Sequence, residues 1–331
     1  MRGILIVNPH ATTTASNTPE LVTRALDGLV DLEVRQTGHR GHARELAAES
    51  DADLVLVLGG DGAVNEAVNG IMARSPGSSA ASGTSEAGAA AASGTSEASG
   101  ALAAALPLIG VIPGGGGNVF ARALGLPLDT GAAIGRIREL IATESYRTIG
   151  LGLAGDRYFT FSADLGWDAE VMHEMDQLRE AGHRQSTMLY LRTIVRQYHR
   201  GTDRRIPALI LEREGQPPTD GLFMTVVTNR SPWTYLGGRA LLPVPSPDFN
   251  SGLDLLALRR LRFGTIVSLV GQLLWVRSRP PRGRHLLSVP GLESLVIRSA
   301  RPIAFQVDGE YLGETKAVEF QFVPHAIRVV A

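Results

Sequence analysis

Two glycine-rich turns, each directly after a short apolar run, constrain the fold of this chain more than any other feature. Gly59-Gly60-Asp61-Gly62 follows the run 54–58, and Pro113-Gly114-Gly115-Gly116-Gly117-Asn118 follows the run 108–112. Such runs predict buried strands of a parallel sheet, and a helical pattern follows each turn. Glycines let a backbone approach a phosphate closely, and the amide hydrogens of the loop and of the next helix point at the anion. Because the carboxyl ends of parallel strands open onto one crevice, we predict a single phosphate site built from both turns.

Asp61 lies among these amide donors. A carboxylate is repelled by phosphates unless a cation bridges the two or the carboxylate handles a proton, so Asp61 indicates Mg²⁺ or acid–base chemistry in phosphoryl transfer. The motif alone is equally compatible with an ordinary strand-to-helix turn that contains a helix-capping aspartate. The second glycine turn is what favours the phosphate site.

The first half of the chain alternates between strand and helix patterns. Short apolar runs predict buried strands at 4–7, 32–35, 54–58 and 108–112, and helical patterns at 19–30 and 42–50 lie between them. This alternation predicts a parallel sheet with right-handed crossovers.

From about Tyr146 the pattern changes to short alternating runs, which predict antiparallel strands at 158–163, 208–213, 222–228 and 253–258. Helical patterns interrupt them at 169–179, 187–198 and 263–276. We therefore predict an α/β N-terminal domain over 1–145, a mainly antiparallel β-sandwich over 146–305 and a C-terminal segment over 306–331.

Residues 75–105 form an insert composed almost entirely of Ala, Gly, Ser, Thr and Glu, in which the octapeptide Ala-Ala-Ser-Gly-Thr-Ser-Glu-Ala occurs twice. It holds no large apolar residue up to Leu102, so it cannot bury a face, and we expect it to be disordered and without a catalytic role.

Composition excludes several classes of protein. The 331 residues and 44% hydrophobic content suffice for two cores, and a formal net charge of −1 argues against bulk nucleic-acid binding. Without cysteine the chain has no disulfide and no thiolate metal site. We expect a cytoplasmic protein, since the first strand begins too close to the N-terminus for a signal peptide and the longest apolar run, 266–276, is too short to span a bilayer.

Several blocks resemble, in order and spacing, the diacylglycerol kinase catalytic-domain family of bacterial lipid kinases and eukaryotic diacylglycerol, sphingosine and ceramide kinases. The blocks are Asn8-Pro9, 59–66, 113–122, 161–169, 251–254 and 307–310. The resemblance covers nearly the whole chain apart from the insert. Asn65-Glu66 separates it from NAD kinases and phosphofructokinases, which share Gly-Gly-Asp-Gly.

The resemblance implies ATP and Mg²⁺ as cofactors, with the nucleotide across the carboxyl edge of the first domain and Asp61 facing the metal. It implies nucleotide contacts from Asn8, Pro9, His10, Ala11, Thr12, Thr37, Gly59, Gly60, Asp61, Gly62, Ala63, Val64, Asn65, Glu66, Gly115, Gly116 and Asn118.

The block Val307-Asp308-Gly309-Glu310 supplies the implied catalytic residues. A lipid hydroxyl has a high pKa, so a carboxylate must accept its proton as the bond to phosphorus forms. The resemblance gives this role to Glu310, with Asp308 beside it and Asp61 as the rival base. In isolation, Asp308-Gly309 is typical of a hairpin turn.

The chain departs from the family pattern at two phosphate contacts. Ala63 stands where the family usually has Thr, and Gly116 where it has Ser or Thr. Two missing hydrogen bonds weaken ATP binding by about one to two orders of magnitude. An active lipid kinase and a degenerate lipid- or nucleotide-binding relative are therefore both open, and an NAD kinase-like enzyme is a less favoured third.

The implied acceptor is the hydroxyl of diacylglycerol or a related lipid, which requires peripheral contact with a membrane surface. The stretch 184–205, with its six arginines, and the arginines at 277–284 could contact anionic headgroups. The alternative for 184–205 is a core-facing helix with a solvated arginine face. A homodimer is compatible with the sequence, and the oligomeric state is left open.

Overall fold

The computed structural model describes residues 1–9, 11, 17–75, 103–183, 187–201, 207–229, 231–244, 248–275 and 279–331. They divide into two compact units: Met1–Leu151 together with Val323–Ala331, and Gly152–Phe322. Most of the insert at 75–105, for which we expect disorder, lies outside the described residues.

The first unit is built on a parallel sheet. Its strands are β1 (Arg2–Val7), β2 (Asp31–Gln36), β3 (Leu54–Gly59) and β4 (Leu108–Pro113), in the spatial order β4-β3-β1-β2. The helices between and after them are α1 (Thr18–Leu26), α2 (His42–Glu49), α3 (Asp61–Ala73), α4 (Val119–Ala123) and α5 (Thr130–Ala142). All side chains of β3 and β4 are buried, as expected for central strands covered on both faces.

Two details of this unit correct the sequence expectations. The strand at 32–35 exists, but Glu33, Val34 and Arg35 are exposed because β2 is the edge strand of the sheet. The helix expected over 19–30 ends at Leu26, since Gly28 adopts a left-handed φ of 76° that ends the turn.

Helices α2 and α3 pack unusually closely. A Cβ atom on Gly70 of α3 would lie 2.2 Å from the carbonyl oxygen of Arg44 and 2.9 Å from the Cβ of Ala47, both in α2. Only glycine permits this approach, which brings the backbones of the two helices together at one point.

The second unit is an antiparallel assembly that starts within β5 (Tyr146–Ala154). Six strands form its main sheet: β7 (Ser162–Gly166), β10 (Met224–Thr228), β13 (Leu253–Leu258), β14 (Leu286–Leu292), β15 (Ser294–Val307) and β16 (Glu310–Val330). Their order across the sheet is β14-β13-β10-β7-β15-β16. The others are β6 (Arg157–Phe159), β8 (Leu209–Arg213), β9 (Gln216–Leu222), β11 (Thr234–Leu236) and β12 (Arg239–Leu241).

Three helices complete this unit: α6 (Trp167–Glu180), α7 (Thr187–Arg196), which continues into a π-helical turn at Gln197–Gly201, and α8 (Phe263–Trp275). Strand β13 shows how the two cores form. Leu253 and Leu255 enter a core shared with β6, β8, β15 and β16, whereas Leu256 and Leu258 enter a core with α6 and α8. The predicted α/β domain with a parallel sheet, followed by a mainly antiparallel sandwich, is confirmed.

Several boundaries in this unit differ from the sequence expectations. The strand expected over 158–163 is two strands, because Thr160 and Phe161 turn inward to bind Asp308, and the strand expected over 222–228 is also divided, at Phe223. The unit boundaries at 151/152 and 322/323 lie away from the predicted 145/146 and 305/306, because β15 and β16 form one long hairpin that keeps 306–322 in the second sheet. Within the part of the chain that the structure describes, no helix has the length and apolar character needed to cross a membrane.

Candidate functional site

The carboxyl ends of the four parallel strands of the first unit carry most of the residues that the sequence analysis assigns to a nucleotide. The amide of Asn8 donates to the carbonyl of Leu58 at 3.0 Å, and the amide of Thr37 donates to the carbonyl of Val7 at 2.9 Å. Asn8 and Thr37 therefore lie one step beyond the ends of β1 and β2, at the same edge as the two glycine turns.

The two glycine turns are in direct backbone contact. The amide of Gly114 donates to the carbonyl of Gly59 at 2.9 Å, which extends the pairing of β3 with β4 by one residue. A Cβ atom on Gly115 would lie 2.6 Å from the Cα of Gly60. Glycine is therefore required at these positions by the contact between the turns. This packing requirement is a second reason for the glycines, beside the phosphate site that the sequence predicts.

Two glycines of the same turns have a different environment. A Cβ atom on Gly62 or on Gly116 would meet no described atom within 4 Å. At both positions the space in which a side chain would begin is therefore open.

Asp61 binds a helix other than its own. Its Oδ2 accepts the amide hydrogen of Val119 at 3.0 Å, and its Oδ1 accepts that of Phe120 at 3.1 Å. Asp61 begins α3, whereas the two amides begin α4, which follows the second turn. Asp61 thus caps a helix, as the alternative interpretation suggests, but the helix is α4 and not its own. Its carboxylate attaches the first glycine turn to the helix that follows the second glycine turn.

Asn118 closes the second turn on itself. Its Oδ1 accepts the amide hydrogen of Gly115 at 2.9 Å, and its Nδ2 donates to the carbonyl of Gly115 at 2.7 Å. Asn118 adopts a left-handed φ of 49°, a conformation that asparagine tolerates better than most residues. The contacts of its amide group thus order the loop.

Glu66 and Asn65 also make contacts within the protein. The carboxylate of Glu66 accepts the amide hydrogens of Gly41 at 2.8 Å and of Ala43 at 3.2 Å, at the start of α2. Asn65 is fully buried, and its Oδ1 accepts from the side chain of Asn69 at 3.2 Å. Glu66 therefore attaches the turn before α2 to the helix that follows the first glycine turn.

Of the other predicted nucleotide contacts, Pro9, Ala11, Ala63 and Val64 are described, and Val64 is buried. His10 and Thr12 lie outside the described residues. Their assignment stays a prediction.

The hairpin between β15 and β16 lies in the second unit. Val307 pairs with Glu310, and Asp308 and Gly309 both have positive φ angles, 47° and 77°, as in a type I′ turn. The hairpin alternative of the sequence analysis thus describes the backbone of this block.

Asp308 anchors the hairpin. Its buried carboxylate accepts four hydrogen bonds: from the amide and the hydroxyl of Thr160, and from the amides of Phe161 and Ser162, at 2.7–3.0 Å. Burial raises the pKa of Asp308, although these four bonds oppose the rise. Its oxygens are engaged in holding the loop between β6 and β7, and a catalytic role for Asp308 stays a prediction.

Glu310 forms an ion pair that the sequence analysis does not anticipate. Its Oε2 lies 2.7 Å from Nη2 of Arg157, and the two side chains are only 12% and 17% exposed. Helix α6 holds the following residue, because the carboxylate of Asp176 accepts the amide hydrogen of Tyr311 at 3.4 Å and the ring of His173 packs 4.1 Å from the Tyr311 ring. The carboxylate of Glu310 is thereby held in place.

A buried carboxyl pair lies at the start of the same helix, where Asp168 of α6 is close to Asp164 of β7. Nε2 of Gln306 donates to both carboxyl groups, at 2.7 Å to Asp168. Trp233 also donates to Asp164, at 3.2 Å. Burial, followed by the charge of Asp168, raises the pKa of Asp164 well above its usual range, and burial also raises the pKa of Asp168. The pair therefore retains a proton at pH values where exposed carboxyl groups are ionised.

One further group of side chains could hold a metal among the described residues: His39, His42 and Glu45, whose ligand atoms lie within 4.8 Å of one another. His42 Nδ1 accepts the amide hydrogen of Gly38 at 2.9 Å. In the neutral ring the proton then lies on Nε2, which leaves that atom no lone pair for a metal. We assign no metal to this group.

Comparisons with known proteins find relatives of the first unit. The family model described as the diacylglycerol kinase catalytic domain matches residues 2–148, which include both glycine turns and the Asp61 contacts. Residues 2–148 match the diacylglycerol kinase catalytic-domain family. Within these residues Asn65 is buried and Glu66 binds backbone amides, as described above.

Curated relatives and solved structures extend the likeness beyond the matched domain. The diacylglycerol kinase of Bacillus subtilis is 25% identical over 288 residues, which cover 83% of this chain and 77% of that protein. The diacylglycerol kinase of Staphylococcus epidermidis is 31% identical over 184 residues, 52% of this chain, and the match spans only 46% of that relative. A diacylglycerol kinase structure from Bacillus anthracis, 18% identical, has a TM-score of 0.64 and covers 99% of this chain and 96% of that one, which shows the fold.

Sequence reasoning finds the two turns but misses Arg157, Gln306 and the target of Asp61. Arg157 and Glu310 are 153 positions apart, and Asp61 reaches amides 58 and 59 positions away. Nothing in the local pattern around these residues signals such partners.

Proposed function

We propose that this protein is a lipid kinase that uses ATP and Mg²⁺ to phosphorylate the hydroxyl of diacylglycerol or a related lipid. The observation that carries the proposal is the backbone contact of the two glycine turns at the ends of β3 and β4, within the residues that match the family. Because such an acceptor resides in a bilayer, the activity requires contact with a membrane surface.

The geometry of the first unit supports a phosphate site. The open space beside Gly62 and Gly116 leaves room for an anion next to backbone amides, while Gly60 and Gly115 hold the two turns together. Asn8 and Thr37 lie at the same sheet edge, where they could contact the rest of the nucleotide.

The donors present fit Mg²⁺. Asp61 brings two carboxylate oxygens to the contact between the two turns. Mg²⁺ in phosphoryl-transfer sites is commonly held by one or two carboxylates together with substrate phosphates. When bound, it would neutralise charge that develops on the transferred phosphoryl group.

Glu310 is the residue that we propose accepts the proton of the lipid hydroxyl. The ion pair with Arg157 restricts its side chain, so little reorganisation is needed for proton transfer. In this proposal Asp308 is a positioning residue, and Asp61 is the alternative base.

One observation favours a second candidate, a binding protein without turnover. Ala63 and Gly116 lack the hydroxyl groups that the family usually places on the phosphates. A Cβ on Gly116 would meet no described atom within 4 Å, so a side chain can begin at this position without a clash. If the chain is a weakened kinase, Ala63→Thr with Gly116→Thr should strengthen ATP binding by about one to two orders of magnitude.

The decisive experiment measures transfer of radiolabelled γ-phosphate from ATP to a panel of lipids in mixed micelles. We expect one lipid class to be labelled by the wild type, and both Glu310→Gln and Asp61→Asn to abolish labelling. Glu314→Gln is the matched control, because Glu314 is an exposed glutamate on the same strand. Absence of transfer to every lipid, together with absence of ATP binding, would refute the kinase proposal, and ATP binding without transfer would favour the second candidate.

A further inference from the structure

Helix α8 presents an apolar face to solvent. Phe263, Val267 and Trp275 are 66%, 53% and 73% exposed, and they follow one another at spacings of four and eight, so they share one side of the helix. Gly271 completes this stripe, and the helix contains no charged residue. The opposite side is an ordinary core face.

That core face fixes the orientation of the helix. Leu269 and Leu273 are 3% exposed and pack with Leu256 and Leu258 of β13, and Ile266 packs beside them. Because α8 already buries one apolar side in the core, packing within the protein does not explain why its other side is apolar as well.

Arginines flank the stripe at both ends. Residues 255–292 contain seven arginines and no aspartate or glutamate, in a chain whose formal net charge is −1. Five of these arginines are described and exposed: Arg260, Arg262, Arg279, Arg282 and Arg284. Over the described parts of the chain, none of the five takes part in an ion pair.

The arginines after the helix are held beside it. Gln272 of α8 donates to the carbonyl of Arg282 at 3.0 Å and accepts the amide hydrogen of Arg282 at 2.8 Å. The positive charges also act together on His285. The pKa of His285 is lowered first by desolvation of the ring and then by the charges of Arg260, Arg284 and Arg262.

We propose that the stripe Phe263-Val267-Gly271-Trp275 and the five flanking arginines form a docking surface for an anionic lipid bilayer. The proposal deepens the proposed function by naming the face of the second unit that meets the membrane. Helix α8, at 13 residues, is too short to span a bilayer but suits a position in the interfacial plane.

The chemistry selects this partner over others. A terminal tryptophan favours the boundary between headgroups and acyl chains, and arginines at both ends complement anionic headgroups. A nucleic acid would use the arginines but leave the Phe263 and Val267 side chains in water. A second copy of this chain would bring like charges together, because the patch holds no acid.

Trp275 provides a direct probe, since Trp167 is buried and Trp233 is half-buried. The experiment titrates the full chain with two kinds of vesicle. One contains phosphatidylcholine alone, and the other contains about 30% phosphatidylglycerol, whose anionic headgroups give the surface a negative potential. We expect a blue shift of the emission and quenching by brominated acyl chains, both only with the anionic vesicles.

Variants separate the two components of the surface in a vesicle-sedimentation assay. Phe263→Ser with Val267→Ser should abolish sedimentation with anionic vesicles, whereas Leu128→Ser, at a 50% exposed leucine of the first unit, should not. Arg282→Gln with Arg284→Gln should weaken binding about 30-fold, since each arginine near an anionic surface contributes about a fivefold gain in affinity. Arg301→Gln, at an exposed arginine outside the patch, is the charge control.

Equal binding of the wild type and of the Phe263/Val267 variant would overturn the proposal, as would a concentration-dependent dimer that those substitutions dissociate. The kinase assay in micelles keeps the two proposals apart. Vesicle binding without phosphoryl transfer would refute the proposed function and leave the docking surface in place. Phosphoryl transfer without vesicle binding would refute the docking surface and leave the proposed function in place.

Discussion

Gly115→Ala tests whether the contact between the two glycine turns organises the site. The added Cβ would lie 2.6 Å from the Cα of Gly60 and 3.2 Å from Oδ1 of Asn118, where carbon atoms normally stay about 3.5–4.0 Å apart. Since the nearer atom is backbone, the turns must separate by about 1 Å. Overpacking of this kind costs about 1–3 kcal/mol.

Gly116→Ala is the matched control one residue away. Its Cβ would meet no described atom within 4 Å, and Gly116 does not have a positive φ, so the substitution fits the native backbone. It should leave stability unchanged or raise it by about 0.4–1 kcal/mol through the unfolded state.

The positions of the tryptophans make the assay specific. All three, Trp167, Trp233 and Trp275, lie in the second unit, so their fluorescence does not follow the first. Hydrogen exchange of peptides that cover 54–66 and 108–122, with urea unfolding followed by circular dichroism, reports the first unit. We expect faster exchange and weaker ATP binding for Gly115→Ala, with an unchanged tryptophan transition. Identical exchange in the two variants would refute the reasoning.

Three further predictions concern side chains. Glu66→Gln should weaken its charge-assisted bonds at the start of α2 by about 1.5–3 kcal/mol and speed hydrogen exchange of residues 41–43; unchanged exchange there would contradict it. Arg157→Met should destabilise the second unit by about 3 kcal/mol, measured by urea unfolding followed by tryptophan fluorescence. Adding Glu310→Leu should restore most of this loss, because it removes the unpaired charge. Equal stability of the single and double variants would count against a buried ion pair. Because the folded pKa of Asp164 is raised, the native state binds the extra proton, and the free energy of unfolding should fall by up to about 1.4 kcal/mol per pH unit as pH rises from about 4 towards the raised value. Asp164→Asn should flatten this dependence, and an identical pH profile would exclude the shared proton.

The sequence predicts what is local and periodic in this protein. The apolar runs 54–58 and 108–112 identify β3 and β4, and the glycines after them place both turns at one sheet edge. The alternating runs of the second half identify an antiparallel unit. Each of these inferences needs only a period or a turn residue within a few positions.

Partners that meet only in the folded chain escape this reasoning. Glu66 binds an amide 25 residues earlier, and Asp308 binds a loop about 147 residues earlier, so no spacing rule connects them. The exposure of β2 depends on its place at the sheet edge, and the exposure of the α8 stripe depends on which side of the helix meets β13. The burial of a side chain depends on the packing of the whole fold, whereas a sequence pattern indicates only a local structural preference.

The close crossing at Gly70 limits how the proposed nucleotide site can change. Helices α2 and α3 begin at the turns 37–41 and 59–61, and the crossing, together with the Glu66 bonds, joins the two helices at two points. A shift of one turn therefore carries the other with it. Substitutions that adapt the proposed nucleotide site to a different ligand would have to adjust both turns in the same step, or first loosen the helix pair.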